Sequence, residues 1–262
     1  MTKYNSANCG YLLLGKYDLL NITTTLEDNA SDPLVETTPF GAAAATFGKP
    51  GVKHYEITGH TGYYDDAVTS IDAAMVASAA GENVFMFAFE GNTDPDVATD
   101  IPVHASCAGG ALKTAYKRVA TLGEYHKANM ELAVSGALDM SSHIVAALSI
   151  KGAGNVNGDT IANRIDLVAA GHAAGAAGAN VYLACTSLTL GGAADLTVTF
   201  TDSAAGVVFL DHTVMTALVA AGAEKKVATD MTVNQYLACK WVWGAGGGGG
   251  TTGTWTLAVK VN

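Results

Sequence analysis

The densest set of oxygen ligands in the chain runs from Asn92 to Asp100, where Asp94, Asp96 and Asp100 stand among Asn92, Thr93 and Thr99. A hard cation such as Ca2+ takes roughly six to eight oxygens, so these three aspartates are the candidate metal ligands. Pro95 is embedded among them, and the turning glycine and terminal bidentate glutamate of a calcium loop are missing. The segment therefore reads first as a solvated acidic loop and second as a cation site. The seven histidines are scattered from His54 to His212, with no HExxH and no Cys/His metal spacing. His54 and His60, six residues apart on one expected strand, read as face residues and not ligands. No GxSxG elbow presents a serine nucleophile, and the glycine run Gly244–Gly253 has no following Lys-Ser/Thr to make a phosphate loop. No acid/base or nucleophile pair can be named, so the expectation is no catalysis, no cofactor and no resident metal.

Charge adds a second signal. The net charge is −10, and residues 1–100 carry all of it, with 14 Asp/Glu against 4 Lys. The remainder balances 10 acids with 10 bases. An acidic surface repels nucleic acid instead of gripping it. The bases that do cluster are Lys113, Lys117, Arg118 and Lys127, with only Tyr116 and Tyr125 as aromatic neighbours. That is too little stacking surface for a nucleic-acid platform, and it reads as a solvated or interface strand pair. Hydrophobic residues make up 49% of the chain and charged ones 15%, enough to bury a core. No stretch approaches the roughly 18 apolar residues of a membrane span. The patch Tyr11–Leu14 is too short for a signal-peptide core, so no secretion and no membrane partner are expected.

The elements that must position these residues are mostly strands. Asn83–Glu90 alternates Phe85, Phe87 and Phe89; Asp195–Thr201 sets Leu196, Val198 and Phe200 against threonines; Trp255–Val261 alternates Trp255, Leu257, Val259 and Val261. Each has the period of two that predicts one buried face. Weaker candidates include Tyr11–Leu14, Lys53–Thr61, Tyr125–Ser135, Ala179–Leu190, Val207–His212 and Tyr236–Trp243. One segment differs: Asp65–Ala80 carries Val68, Ile71, Met75 and Ala79 at helical spacing, with acids at its start and Gly81 at its end. It predicts a helix over 65–80 packed on a sheet. WVWGAGGGGGTTGTW predicts a β-hairpin with a glycine tip, and Asn157-Gly158-Asp159 and Gly191-Gly192 predict turns. Long irregular stretches at Glu27–Gly51 and Gly152–Gly178 suggest a functional arm and a linker. The division is thus 1–154 and 155–262, with the boundary near residue 155. Cys185 and Cys239 end a repeated Tyr-Leu-Ala-Cys string. They read as small buried thiols on two similar strands, a Cys185–Cys239 bridge being the other reading.

At several successive points the first part resembles phage tail tube (major tail) proteins. Leu14-Gly15-Lys16-Tyr17-Asp18-Leu19 resembles the opening strand and turn of that family. Val35-Glu36-Thr37-Thr38-Pro39-Phe40-Gly41, Lys49-Pro50-Gly51-Val52-Lys53, Ile57–Asp66 and Val119–Glu124 resemble its later segments. The last third is similar to an accessory β-sandwich of some tail proteins, through Val181–Cys185, Asp195–Ser203 and Val233–Ala238, with Gln235 and Ala238 where that pattern has arginine. The resemblance implies a mainly β protein: a tail-tube-type β-sandwich or barrel with one flanking helix, followed by a second β-sandwich. It implies a virion structural protein, assembled in the host cytoplasm. Its subunits would form homo-oligomeric, usually hexameric rings that stack into a tube and contact other tail proteins. DNA would pass through the lumen without specific binding, and the acidic residues 1–100 would line part of it. The loop carrying Glu36, Thr37, Phe40, Gly41, Pro50 and Gly51 would reach an adjacent subunit or ring. The alternative is a capsid-decoration or carbohydrate-binding β-sandwich, with Trp241, Trp243 and Trp255 as platforms.

Overall fold

The structure is a computed structural model and describes residues 11–19, 23–25, 27–31, 35–36, 47–48, 54–64, 72, 83–88, 104–134, 138–151, 157–169, 174–245 and 250–262. The described residues are mainly β. In chain order the strands are β1 (Tyr11–Leu14), β2 (Tyr17–Asp18), β3 (Thr23–Thr25), β4 (Asp28–Ser31), β5 (Val35–Glu36), β6 (Phe47–Gly48) and β7 (His54–Tyr63). Next come β8 (Asn83–Ala88), β9 (His104–Val119), β10 (Lys127–Val134), β11 (Asp139–Lys151), β12 (Gly158–Asp159) and β13 (Ile165–Asp166). The remainder are β14 (Ala176–Thr189), β15 (Leu196–Ser203), β16 (Leu210–Val214), β17 (Gly222–Val233), β18 (Tyr236–Trp243) and β19 (Thr252–Val261). Of the helix expected over 65–80, Asp72 alone is among the described residues, and it is helical.

Contacts divide the chain into two compact units. The first comprises Met1–Leu20, Asn83–Gly109 and Asp139–Asn262; the second comprises Asn21–Glu82 and Gly110–Leu138. The boundary expected near residue 155 lies inside the first unit. β11, before that point, is hydrogen-bonded along its length to β19, after it, from His143↔Val259 to Lys151↔Thr252.

The first unit is a β-sandwich with a further layer. One sheet runs β17-β14-β19-β11-β9, and β8 and β1 continue beyond β9. The opposing sheet runs β12-β18-β15-β16, with β13 also beside β18. Between them Val181, Leu183 and Cys185 of β14 and Trp255, Leu257 and Val259 of β19 meet Leu196, Val198 and Phe200 of β15 and Leu237, Cys239 and Trp243 of β18. These are the alternating residues of each strand, which is why the period of two is visible in the sequence. The other face of the same wall is also buried. Tyr182 and Ala184 of β14 and Ala258 of β19 pack with Leu13 of β1, Met86 of β8 and Cys107 of β9. β14 and β19 thus serve two cores, and the single buried face expected for Trp255–Val261 becomes two. The same holds for β8, where Val84, Phe85, Met86 and Phe87 are all buried.

Two local expectations change for the same reason. The tryptophan strands do not form a hairpin, because β18 and β19 lie in opposite sheets of the sandwich. Trp243 and Trp255 both belong to its core, and the Trp241 and Trp255 rings meet edge to face at 5.6 Å. Trp243 at the end of β18 and Thr252 at the start of β19 therefore stand in different sheets instead of flanking a two-strand turn. Gly158 and Asp159 are not a turn but the edge strand β12, paired with Trp241 and Lys240. A side chain on Gly158 would collide with the Trp241 ring, so the glycine permits the pairing. Gly191 and Gly192 do form the expected turn, at φ 52° and 103°. Cys107, Cys185 and Cys239 are free thiols, so no Cys185–Cys239 bridge forms.

In the second unit β10 lies between β7 and the later part of β9, with β3 and β4 on the other side of β7. Ala128, Met130 and Leu132 of β10 and Ile57 of β7 are buried. β5 and β6 pair separately, Glu36 opposite Phe47.

Candidate functional site

Of the residues expected to reach another subunit, Glu36 lies in β5. Thr37, Phe40, Gly41, Pro50 and Gly51 fall outside the described residues, as do the aspartates Asp94, Asp96 and Asp100. His54 and His60 both lie in β7, with a register break against β10 between Ile57 and His60. Among the described residues no three His, Cys, Asp or Glu side chains converge to hold a metal. Among the described residues no helix is long and apolar enough to cross a membrane.

Three carboxylates that sequence reasoning passed over each accept from at least two donor side chains. Asp202 is fully buried at the end of β15, in line with the apolar row of Val198 and Phe200. Its Oδ1 meets His212 Nε2 of β16 at 2.5 Å and accepts from Asn234 Nδ2 at 2.9 Å. Its Oδ2 accepts from the Asn234 backbone N–H at 2.6 Å. One side chain thus ties β15 to β16 and to the turn between β17 and β18. Asp139 does the same on the other side of the wall, where its Oδ2 accepts from Asn180 Nδ2 at 2.6 Å and from the Tyr182 hydroxyl. Burial and that hydrogen bond push the Tyr182 phenol up, so it stays neutral and donating. Lys225 lies with its Nζ 5.1 Å from the Tyr182 ring centroid. In the second unit, Asp72 Oδ1 accepts from the Tyr116 hydroxyl at 2.7 Å and from Arg118 Nε at 2.9 Å. The Tyr116 bond, and Arg118 after it, hold the Asp72 carboxyl below its ordinary range, while burial pushes Tyr116 up to about 12. Asp202 and Asp139 are spent on holding strands together, and Asp72 on fastening its helical position to β9. Burial likewise raises Cys107 to about 12 and Cys185 to about 11, which keeps both thiols protonated and poor nucleophiles.

Groups not so engaged lie at the surface. Among the described residues β16 pairs as a strand with β15 alone, Lys226 Nζ of β17 donating to Val214 O at 2.7 Å, and its neighbourhood exposes Val207 (80%), Leu210 (56%), Val214 (51%) and Val219 (72%). An edge that offers unpaired backbone beside apolar side chains is a template for association. A second exposed feature is the turn between β9 and β10. Leu122 is fully exposed and Tyr125 is 82% exposed, on the hairpin where Lys117 and Arg118 are also exposed. By contrast, Trp243 and Trp255 are buried, and neither offers a platform to a sugar.

No family model matches the chain, and no curated protein matches it. Among solved structures it is similar to a chain of the virion of a native gene transfer agent particle, at 14% identity and a TM-score of 0.37. That match covers 53% of this chain and 98% of the other. A chain from the tail of an empty gene transfer agent particle with C6 symmetry matches at 15% identity and a TM-score of 0.35, over 49% and 94% of the two chains. The Dit protein of phage SPP1, a hub adsorption apparatus protein, matches at 10% and 0.30, over 94% and 97%. Each of these is a component of a virion, tail or hub assembly.

Proposed function

We propose that this chain is a virion structural protein of a phage tail, whose copies associate into rings that stack as a tube. The observation that carries the reading is the exposed edge strand β16, with Leu210 and Val214 outward and Val207 and Val219 beside it. Edge strands of this kind are templates for pairing with another chain, and a ring provides that neighbour. The successive resemblances in the first part of the chain supply the kind of assembly. Asp202, Asp139 and Asp72 are taken up in structural hydrogen bonds, which accords with a scaffold. On this reading DNA passes through the lumen without specific contacts, repelled by the acidic residues 1–100. A hexameric ring and contacts with other tail proteins belong to the same proposal, as does the loop carrying Glu36 as an inter-ring arm.

Negative-stain microscopy of the purified full chain, with mass photometry alongside, tests this. Rings or tubes with a central hole are expected. A clean monomer at high concentration overturns the tube reading. The carbohydrate-binding alternative has lost two of its three tryptophans to the core, and no observation favours it.

A further inference from the structure

β16 ends one sheet of the sandwich and β17 ends the other, and the two edges meet through side chains of β17. Met215 N–H donates to Val198 O at 2.9 Å, so the alternation of an antiparallel pair turns the backbone of Val214 and Thr216 away from β15. Two of those outward groups are taken by β17. Lys226 Nζ donates to Val214 O at 2.7 Å. Glu224 accepts from the Thr216 N–H at 2.8 Å and from the Thr216 hydroxyl at 2.7 Å. Glu224 and Lys226 are two residues apart on one strand, hence on one face, and they pair with each other at 3.5 Å. A neighbouring strand would bring a backbone N–H to Val214 O and a backbone C=O to the Thr216 N–H. An ammonium and a carboxylate stand in those two places instead. Charged side chains, lysine above all, are a common means of keeping edge strands from pairing with other chains. The apolar side chains around this edge stay exposed while part of its backbone is closed.

We propose that Lys226 and Glu224 form a displaceable cap on the β16 edge, which an edge strand of a second copy must lift before it pairs there. The proposal rests on the reading of β16 as an assembly edge and adds what sets its threshold. The side chains of Lys226 and Glu224 are 34% and 24% exposed, so water receives both charges when the cap opens. An arriving strand replaces each lost backbone contact with one of its own. The cap therefore raises the concentration at which copies pair without forbidding the pairing.

The test compares the full chain with the double variant E224A/K226A by mass photometry and negative stain over a protein dilution series, with urea titrations to check folding. Lys226→Met, which keeps the stem and removes the donor, takes its place should the double variant not fold. Assembly at about tenfold less protein, or lower still, is expected of the uncapped chain. Adding Val214→Pro should abolish that gain, because proline removes an outward N–H and leaves the bonds to β15 in place. An uncapped chain that needs as much protein as the unaltered one overturns the cap and leaves the tube reading standing. A need for more protein also overturns the cap, since the two side chains then belong to the contact itself. A gain that survives Val214→Pro shows that it does not come through the edge, and again overturns the cap. Monomers throughout overturn both readings. An unaltered chain that stays monomeric while the uncapped one assembles upholds the cap and overturns the tube reading.

Discussion

β14 and the β9–β10 hairpin are both long antiparallel structures, and they spend their side chains in opposite ways. In β14 the five residues Val181 to Cys185 are all buried, because each face of the strand meets a different core. In the hairpin every residue from Ala120 to His126 is exposed, and the face opposite Met130 carries Lys117 and Glu131. The first arrangement draws its stability from apolar area removed from water, and its polar atoms must be paired internally. The second contributes little to folding and keeps its side chains available. Where a chain leaves an ordered, apolar tip in water while packing other strands on both faces, the tip is better explained by association than by folding.

Substitutions should separate the two regions widely. Trp255→Ala removes a ring at the centre of the sandwich, which is 1% exposed and in contact with Trp241. It should destabilise by about 3–5 kcal/mol in urea or guanidinium titrations, whereas Leu122→Ala should change stability by less than about 0.5 kcal/mol. Similar losses at the two positions would break the contrast. Next in size is Asp202→Ala, which strips the Asn234 N–H and the His212 ring of their acceptor in a fully buried setting. A loss of about 2–3 kcal/mol is expected, and an unchanged melting temperature would mean that water takes over the role of the carboxylate. Tyr182→Phe is milder, since Asp139 keeps Asn180 as a donor. It should cost about 1–2 kcal/mol, measured by the same titrations.

What the sequence made legible follows from what period and composition encode. Leu196, Val198 and Phe200, and Trp255, Leu257 and Val259, do line one core as their alternation predicts. The second buried face of the same strands was hidden, because Ala258 and Thr256 are small or polar enough to pass for a solvent side. Which strands share a sheet was also hidden. Nearness in sequence suggested that β18 and β19 pair, but sheet membership depends on distant partners such as β11 and β15. Residue 155 lies within the first unit for that reason, where β11 pairs with β19. The pins at Asp202, Asp139 and Asp72 were missed because their partners lie 10 to 46 residues away. The basic cluster, by contrast, was readable as a strand pair because Lys113, Lys117, Arg118 and Lys127 are local.

The smallest effect sharpens the comparison from the exposed side. Asp72 is held by Tyr116 and Arg118, and its carboxyl sits below its ordinary range in the folded chain. A carboxylate with a lowered folded value adds stability above its unfolded value and loses it as pH falls through the folded one. The contribution of Asp72 is therefore full at neutral pH and disappears only below the usual aspartate range. Asp72→Asn should flatten the acid limb of the stability curve while leaving a modest loss at neutral pH, because the Arg118 end of the pair is solvated. Thermal melts of both proteins from neutral to acid pH measure this. Parallel curves would show that Asp72 is no pin, and that the second unit holds its hairpin by strand pairing alone.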